Sequence, residues 1–208
     1  MRGGRATART TPPPADERPG AAAPGARLRR AERREQILDA ATRAFATAGY
    51  GATSLDDLAR AAGVSRVILY RHFDTKADLY RAALDRAQAR LADAVPGPEF
   101  SEASIDRLMV AAANDPAAFR LLFQRAAREP EFRDDIDRRR AGMVALADRQ
   151  LARAIRDRAW SRWAAELAPT VAIEAVLAWL DAGQPDPERA PERIRHAVMA
   201  VIEAAGRR

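Results

Sequence analysis

From Ile37 to Ile202 the apolar residues of this chain recur every three or four positions, and Gly or Pro punctuates the runs. That spacing lays one apolar stripe along an α-helix, whereas a half-buried strand would alternate every second residue. Ala supplies much of the 48% hydrophobic share while aromatics make up only 6%, and Ala is the strongest helix former. The expected fold is all-α: a three-helix unit near the N-terminus followed by a larger helical part, about nine helices in total.

The stop and start signals place those helices. The first runs from about Arg29 to Thr47 and stops at Gly49. Thr53 or Ser54 caps a short second helix, with Asp56 or Asp57 completing a capping box. Asp56 is expected to serve that cap. Gly63 fits a turn position of positive φ, Ser65 caps the next helix, and Leu69 and Phe73 mark its inner side as far as Asp74. Thr75–Asp78 is another capping box, opening a long helix to Ala94 that Gly97-Pro98 closes. Further helices are expected at Ser101–Ala113, after Asp115-Pro116, from Glu129-Pro130 to about Arg156, from Trp160 to Asp181 through Pro169, and after Pro187. The domain reading is a tail at 1–26, a three-helix unit at 27–75, and a helical remainder at 76–208 whose first element, 76–94, is a connecting helix.

Several function classes are disfavoured. There is no Cys, so no disulfide framework or thiolate zinc site, and the two His lie far apart. No metal, cofactor or enzymatic activity is expected, since residues 95–208 show no nucleophile constellation, phosphate loop or carboxylate cluster. No run approaches the roughly eighteen continuous apolar residues of a membrane span, and the N-terminus lacks the apolar core of a secretory signal. A soluble, cytoplasmic protein without membrane contact is expected.

The net charge of +6 is unevenly placed. Arg2, Arg5, Arg9, Arg18, Arg27, Arg29 and Arg30 face only Asp16 and Glu17, so the first thirty residues carry five of those six charges. The tail is either a minor-groove arm or a solvated solubilising segment. The folded part is close to neutral, so charge alone says little about nucleic acid. Lys76 is the one Lys among 35 basic residues.

Two short helices joined by a Gly-containing turn are a helix-turn-helix arrangement. The string from Phe45 to Leu79, FATAGYGATSLDDLARAAGVSRVILYRHFDTKADL, resembles the DNA-binding domain of TetR-family transcription regulators. The resemblance covers about residues 30–90. It rests on the Gly63-Val64-Ser65 turn, the Leu69-Tyr70-x-His72-Phe73 recognition-helix core, and Lys76 at the start of the fourth helix. It implies that Tyr70, Lys76 and Ser54 meet DNA phosphates, while Arg66, Val67, Ile68 and Arg71 are candidates for base edges. Ser65 and His72 join the DNA-binding set. Lys76 opposes its own helix dipole, and with that helix's free N–H groups it would make an anion site. Val67 and Ile68 depart from the small and hydroxylic residues usual there. They either pack on the first helix or meet thymine methyl groups, the latter favoured for Ile68.

The resemblance further implies a homodimer on a palindromic double-stranded DNA operator, acting as a repressor released by an unidentified small-molecule effector. The effector would shift helix 76–94. Val171, Ala175, Leu177, Ala178, Ile194, Val198, Val201 and Ile202 are candidates for the dimer interface. Phe119, Phe123, Met143, Trp160, Trp163 and Trp179 could line an effector cavity, or simply be core. The competing readings are a helical interaction protein that has lost DNA binding, and a DNA-modifying enzyme with a helix-turn-helix appendage.

Overall fold

A computed structural model of the chain describes residues 24–96 and 101–207. The expectations attached to Arg2, Arg5, Arg9, Arg18 and the Gly97-Pro98 break lie outside the described residues. Nine α-helices, and no strand, occur among the described residues: α1 Pro24–Ala52, α2 Leu55–Ala61, α3 Arg66–Tyr70, α4 Lys76–Ala94, α5 Glu102–Asn114, α6 Pro116–Arg120, α7 Arg133–Ala154, α8 Arg158–Asp181 and α9 Ala190–Gly206. Between α6 and α7 the chain stays coiled as a π-turn at Leu121–Arg125 and two 3₁₀ turns, Ala126–Arg128 and Pro130–Phe132.

The caps account for most of these boundaries. Ser54, Ser65, Thr75, Ser101, Asp115 and Asp157 each accept from a backbone N–H in the first turn of the helix they precede, satisfying donors that have no intrahelical partner. Gly63 has φ +63°, the conformation its turn requires. Several boundaries differ from expectation, and the helix expected from Glu129-Pro130 becomes α-helical only at Arg133, after the 3₁₀ turn Pro130–Phe132. Helix α1 already includes Pro24–Ala26, which the sequence assigned to the tail. Gly49 bends α1 at φ 84° and one more turn follows before it ends. Helix α3 is only five residues long, its last turn tightening after Tyr70 because the N–H groups of Arg71 and His72 reach carbonyls three or four residues back.

Three apolar cores result, the smallest joining Ala147, Leu151 and Ile155 to Ala164 and Ala165 of α8 and Ala205 of α9. The first contains Ile37, Leu38, Ala41 and Phe45 of α1, Leu58 of α2, Leu69 of α3 and Leu79, Tyr80, Ala83 and Leu84 of α4. It does not end at α4, because Ala118, Leu121, Leu122, Ala126 and Phe132 belong to it as well. The helix-turn-helix unit thus shares its core with the segment that follows α5. Arg86 strengthens the α1–α4 seam, its guanidinium 2.6 Å from Asp39 and 3.1 Å from Glu35.

The second core joins α5, α6, α8 and α9 through Ile105, Met109, Phe119, Val176, Leu180, Ile194 and Val198. Val198 is fully buried and Ile194 nearly so. Both therefore belong to their own subunit's core and not to a surface a partner could reach, as does Leu177. Val171, Ala175, Val201 and Ile202 are half-buried and Ala178 is exposed. Helix α8 runs unbroken through Pro169 and, by length and composition, is apolar enough to cross a membrane, with mean hydropathy 1.3; half of that stretch is buried within the fold. Its apolarity is that of a core helix.

Candidate nucleic-acid interface

Helix α3 is held from behind and free in front. Leu69 is completely buried and Phe73 almost so, which fixes the helix rotation. Arg66, Val67, Tyr70 and Arg71 then point outward. Val67 is 63% exposed, the most exposed large hydrophobic side chain among the described residues, so it does not pack on α1. Ile68 is half-buried. Val67, more than Ile68, is therefore the apolar side chain free to meet another surface. An exposed apolar side chain beside two Arg and a Tyr suits a major groove, whose base edges offer acceptors and methyl groups.

The polar groups around this face are already partly engaged. Asp57, not Asp56, completes the capping box: the Ser54 hydroxyl accepts from Asp57 N (3.1 Å) and donates to the Asp57 carboxylate (2.6 Å). Asp56 instead reaches across to Arg66, 3.4 Å from its guanidinium. Arg66 also lies over the Tyr70 ring at 5.9 Å. Tyr70 and Asp56, in that order, favour its charged form. Ser65 Oγ accepts from Ile68 N at 3.3 Å, which leaves the hydroxyl proton available to an acceptor outside.

Lys76 is placed differently from expectation. Its ammonium donates to the carbonyls of Tyr50 (2.9 Å) and Thr53 (3.1 Å) and sits 4.1 Å from the Tyr50 ring. It forms no anion site with the α4 N–H groups. The end of α1 carries unpaired carbonyls and the negative pole of a helix, a better place for a cation than the start of α4. Lys76 clasps the α1–α2 junction, and two of its three N–H groups are used by these carbonyls.

His72 is half-buried behind the face. Burial first, then Arg30, Arg34 and Arg33, push its imidazole below the usual His range. Folding therefore favours the neutral imidazole of His72. An unfolded His takes up a proton near pH 6.5. The contribution of this group is thus fully present above that pH and is lost as pH falls through the lower folded value. His72→Gln is expected to reduce the loss of thermal stability between about pH 7.5 and pH 5; an unchanged loss in the variant would contradict this.

Behind the face lies a seam that sequence reasoning did not find. The bend at Gly49 leaves Tyr50 N without a helical acceptor, and Glu129 supplies one at 2.8 Å. Arg125 donates to the carbonyls of Ala46 (2.9 Å) and Thr47 (2.7 Å). Tyr50, Tyr80 and Phe132 pack with ring centroids 4.4–5.1 Å apart. The Tyr80 hydroxyl is buried without a partner, and burial, then Glu129, raises its pKa. The only signal in the sequence was Gly49 itself, which demanded an acceptor without saying where it would come from. A Cβ on Gly49 would lie 3.0 Å from the Glu129 carboxylate, at a positive φ. Gly49→Ala is expected to destabilise the fold by about 1–3 kcal/mol in thermal denaturation; a cost below about 0.5 kcal/mol would show that neither constraint matters.

The residues proposed for an effector are only partly gathered. Phe119 is in the second core, with Phe123, Met143 and Trp179 packed against it. Trp163 is elsewhere, 40% exposed and edge-on to Trp160 at 5.4 Å. It sits on the outer side of α8, and so lines no cavity with the others. An open groove of about 400 Å³ is bounded by Ala175, Trp179, Pro185, Asp186, Ala190, Arg193 and Ile194.

Two short helices crossing at Gly63, with the second presenting a bare polar and apolar face, define a helix-turn-helix protein. Comparison with known proteins narrows the class. Residues 37–83 match the family model of bacterial regulatory proteins, tetR family. The transcriptional activator FasR of Mycolicibacterium smegmatis is 50% identical over 62 residues, 30% of this chain and 28% of FasR. The transcriptional repressor AcnR of Corynebacterium diphtheriae is 33% identical over 103 residues, 49% of this chain and 54% of AcnR. The chain thus matches about a quarter to half of the length of these relatives. A TetR-like transcriptional regulator from Rhodococcus sp. RHA1 shares the fold across 84% of this chain and 97% of its own, with TM-score 0.67 at 19% identity. Residues 37–83 thus resemble bacterial regulatory proteins of the tetR family, and the described chain shares the fold of a TetR-like regulator.

Proposed function

We propose that the chain is a non-enzymatic, cytoplasmic transcription regulator that binds a palindromic DNA operator as a homodimer and represses until a small molecule releases it. The observation that carries the reading is α3, whose Arg66, Val67, Tyr70 and Arg71 stand clear of the protein while Leu69 and Phe73 lock the helix to the core. Ser54, Ser65 and the remaining N–H of Lys76 lie toward the phosphates in this reading. A dimer is supported by the outer surface of α8 and α9, where Val171, Ala175, Ala178, Val201 and Ile202 remain uncovered or half-covered. Pairing two copies there would build a four-helix bundle. Effector control is supported by the Phe119–Phe123 pair, with ring centroids 4.8 Å apart. Phe123 lies in the π-turn that ends in Arg125. A ligand displacing Phe123 would pull Arg125 from the end of α1 and so shift α3.

Selection from a pool of randomised DNA duplexes by the purified chain tests this. Two half-sites in inverted repeat, centred about one helical turn apart, are expected, bound by a species of twice the chain mass. An unenriched pool would instead favour a helical interaction protein, the alternative to which the engagement of Lys76 and the bare Val67 lend weight.

A further inference from the structure

Asp56 is an acidic side chain on a surface that, in the proposed function, must approach DNA phosphates. It is 59% exposed and takes no part in the cap of its own helix, which Ser54 and Asp57 complete between them. Its one close partner is Arg66, ten residues on and across the turn, itself 53% exposed. An exposed ion pair at 3.4 Å contributes little to folding. Its consequence lies in what it does to Arg66.

A free Arg beside DNA takes the nearest phosphate, because that contact releases counterions on any sequence. Arg66 is not free: Asp56 lies at one end of the guanidinium and the Tyr70 ring beneath it. We propose that Asp56 is a specificity-determining positioning residue, which holds Arg66 away from the phosphates and directs it toward a base edge. The carboxylate does this in two ways. It gives the guanidinium a defined rest position at the start of α3, and it repels the phosphates that would otherwise capture it. Affinity for random DNA falls as a result, and the difference between the right and wrong base at one operator position grows. The inference rests on the DNA-reading role of α3.

The test compares the full chain with Asp56→Asn and Asp56→Glu, using the randomised duplex pool and then salt titrations on a selected duplex and a scrambled one. In Asp56→Asn, affinity for the scrambled duplex is expected to rise several-fold. The salt slope on that duplex should steepen by about one, the signature of one more phosphate contact. Base preference should relax roughly tenfold at a single position in each half-site. Asp56→Glu, which keeps the charge, should restore the slope and the preference. A change in thermal midpoint alone, with preference and slope unaltered, would overturn the role of Asp56 and leave the reading of α3 standing. If the unmodified chain enriches no sequence, both fall.

Discussion

The double variant Arg66→Ala, Arg71→Ala is expected to lose sequence-preferring DNA binding while folding normally. Both side chains are exposed on α3 and neither takes part in an apolar core, so their removal opens no cavity. A well-placed Arg on a guanine edge is worth about 1–3 kcal/mol of discrimination, so two acting independently would contribute about 2–6 kcal/mol. Fluorescence anisotropy on a selected duplex reads the loss, and circular dichroism melting reads the fold. A drop in affinity accompanied by a lower melting temperature would assign these residues to structure instead.

Phe132→Ala is expected to have the largest effect on stability, and it should also remove DNA binding although Phe132 is far from α3 in sequence. The ring is buried, packed on Tyr80 at 4.4 Å and Tyr50 at 4.9 Å, with Arg81 over it at 5.3 Å. Truncating such a ring costs about 3–5 kcal/mol, a large part of the margin of a typical domain. Because Phe132 and Leu58 lie in one core, the helix-turn-helix unit and the segment after α5 should melt in a single transition. Two separate transitions, with DNA binding retained below the second, would show that the shared core does not couple them. Trp163→Ala serves as the contrast, its side chain being 40% exposed where Phe132 is buried and so having less packing to lose.

These two variants mark the boundary between what could and could not be read from residue order. Local signals carried the helix-turn-helix unit: Ser54, Ser65 and Thr75 act on N–H groups three residues away, and Gly63 supplies a turn within one step. The stripe Leu69–Phe73 gave the rotation of α3, and with it the exposed face. Two of the misplacements involve partners distant in sequence. Lys76 was weighed against its own helix, while its carbonyl partners lie 23 and 26 residues earlier. Glu129 was read only as marking the start of the helix after it, yet its carboxylate serves Tyr50, 79 residues away. Asp56 and Asp57 are neighbours on a helix and therefore point in different directions, which a capping pattern does not distinguish. In α9, the stripe Ile194–Val198 was identifiable as apolar, but periodicity does not say which neighbour covers it. Here α5 and α8 do.

The most direct test of the central claim, that α3 reads DNA sequence, is anisotropy of the purified protein on its selected duplex and on a scrambled duplex of equal length, across a series of salt concentrations. The account predicts that binding to both weakens with salt, and that the selected duplex stays tighter by roughly a thousandfold or more at physiological ionic strength. Equal affinities for the two duplexes at every salt concentration would contradict it.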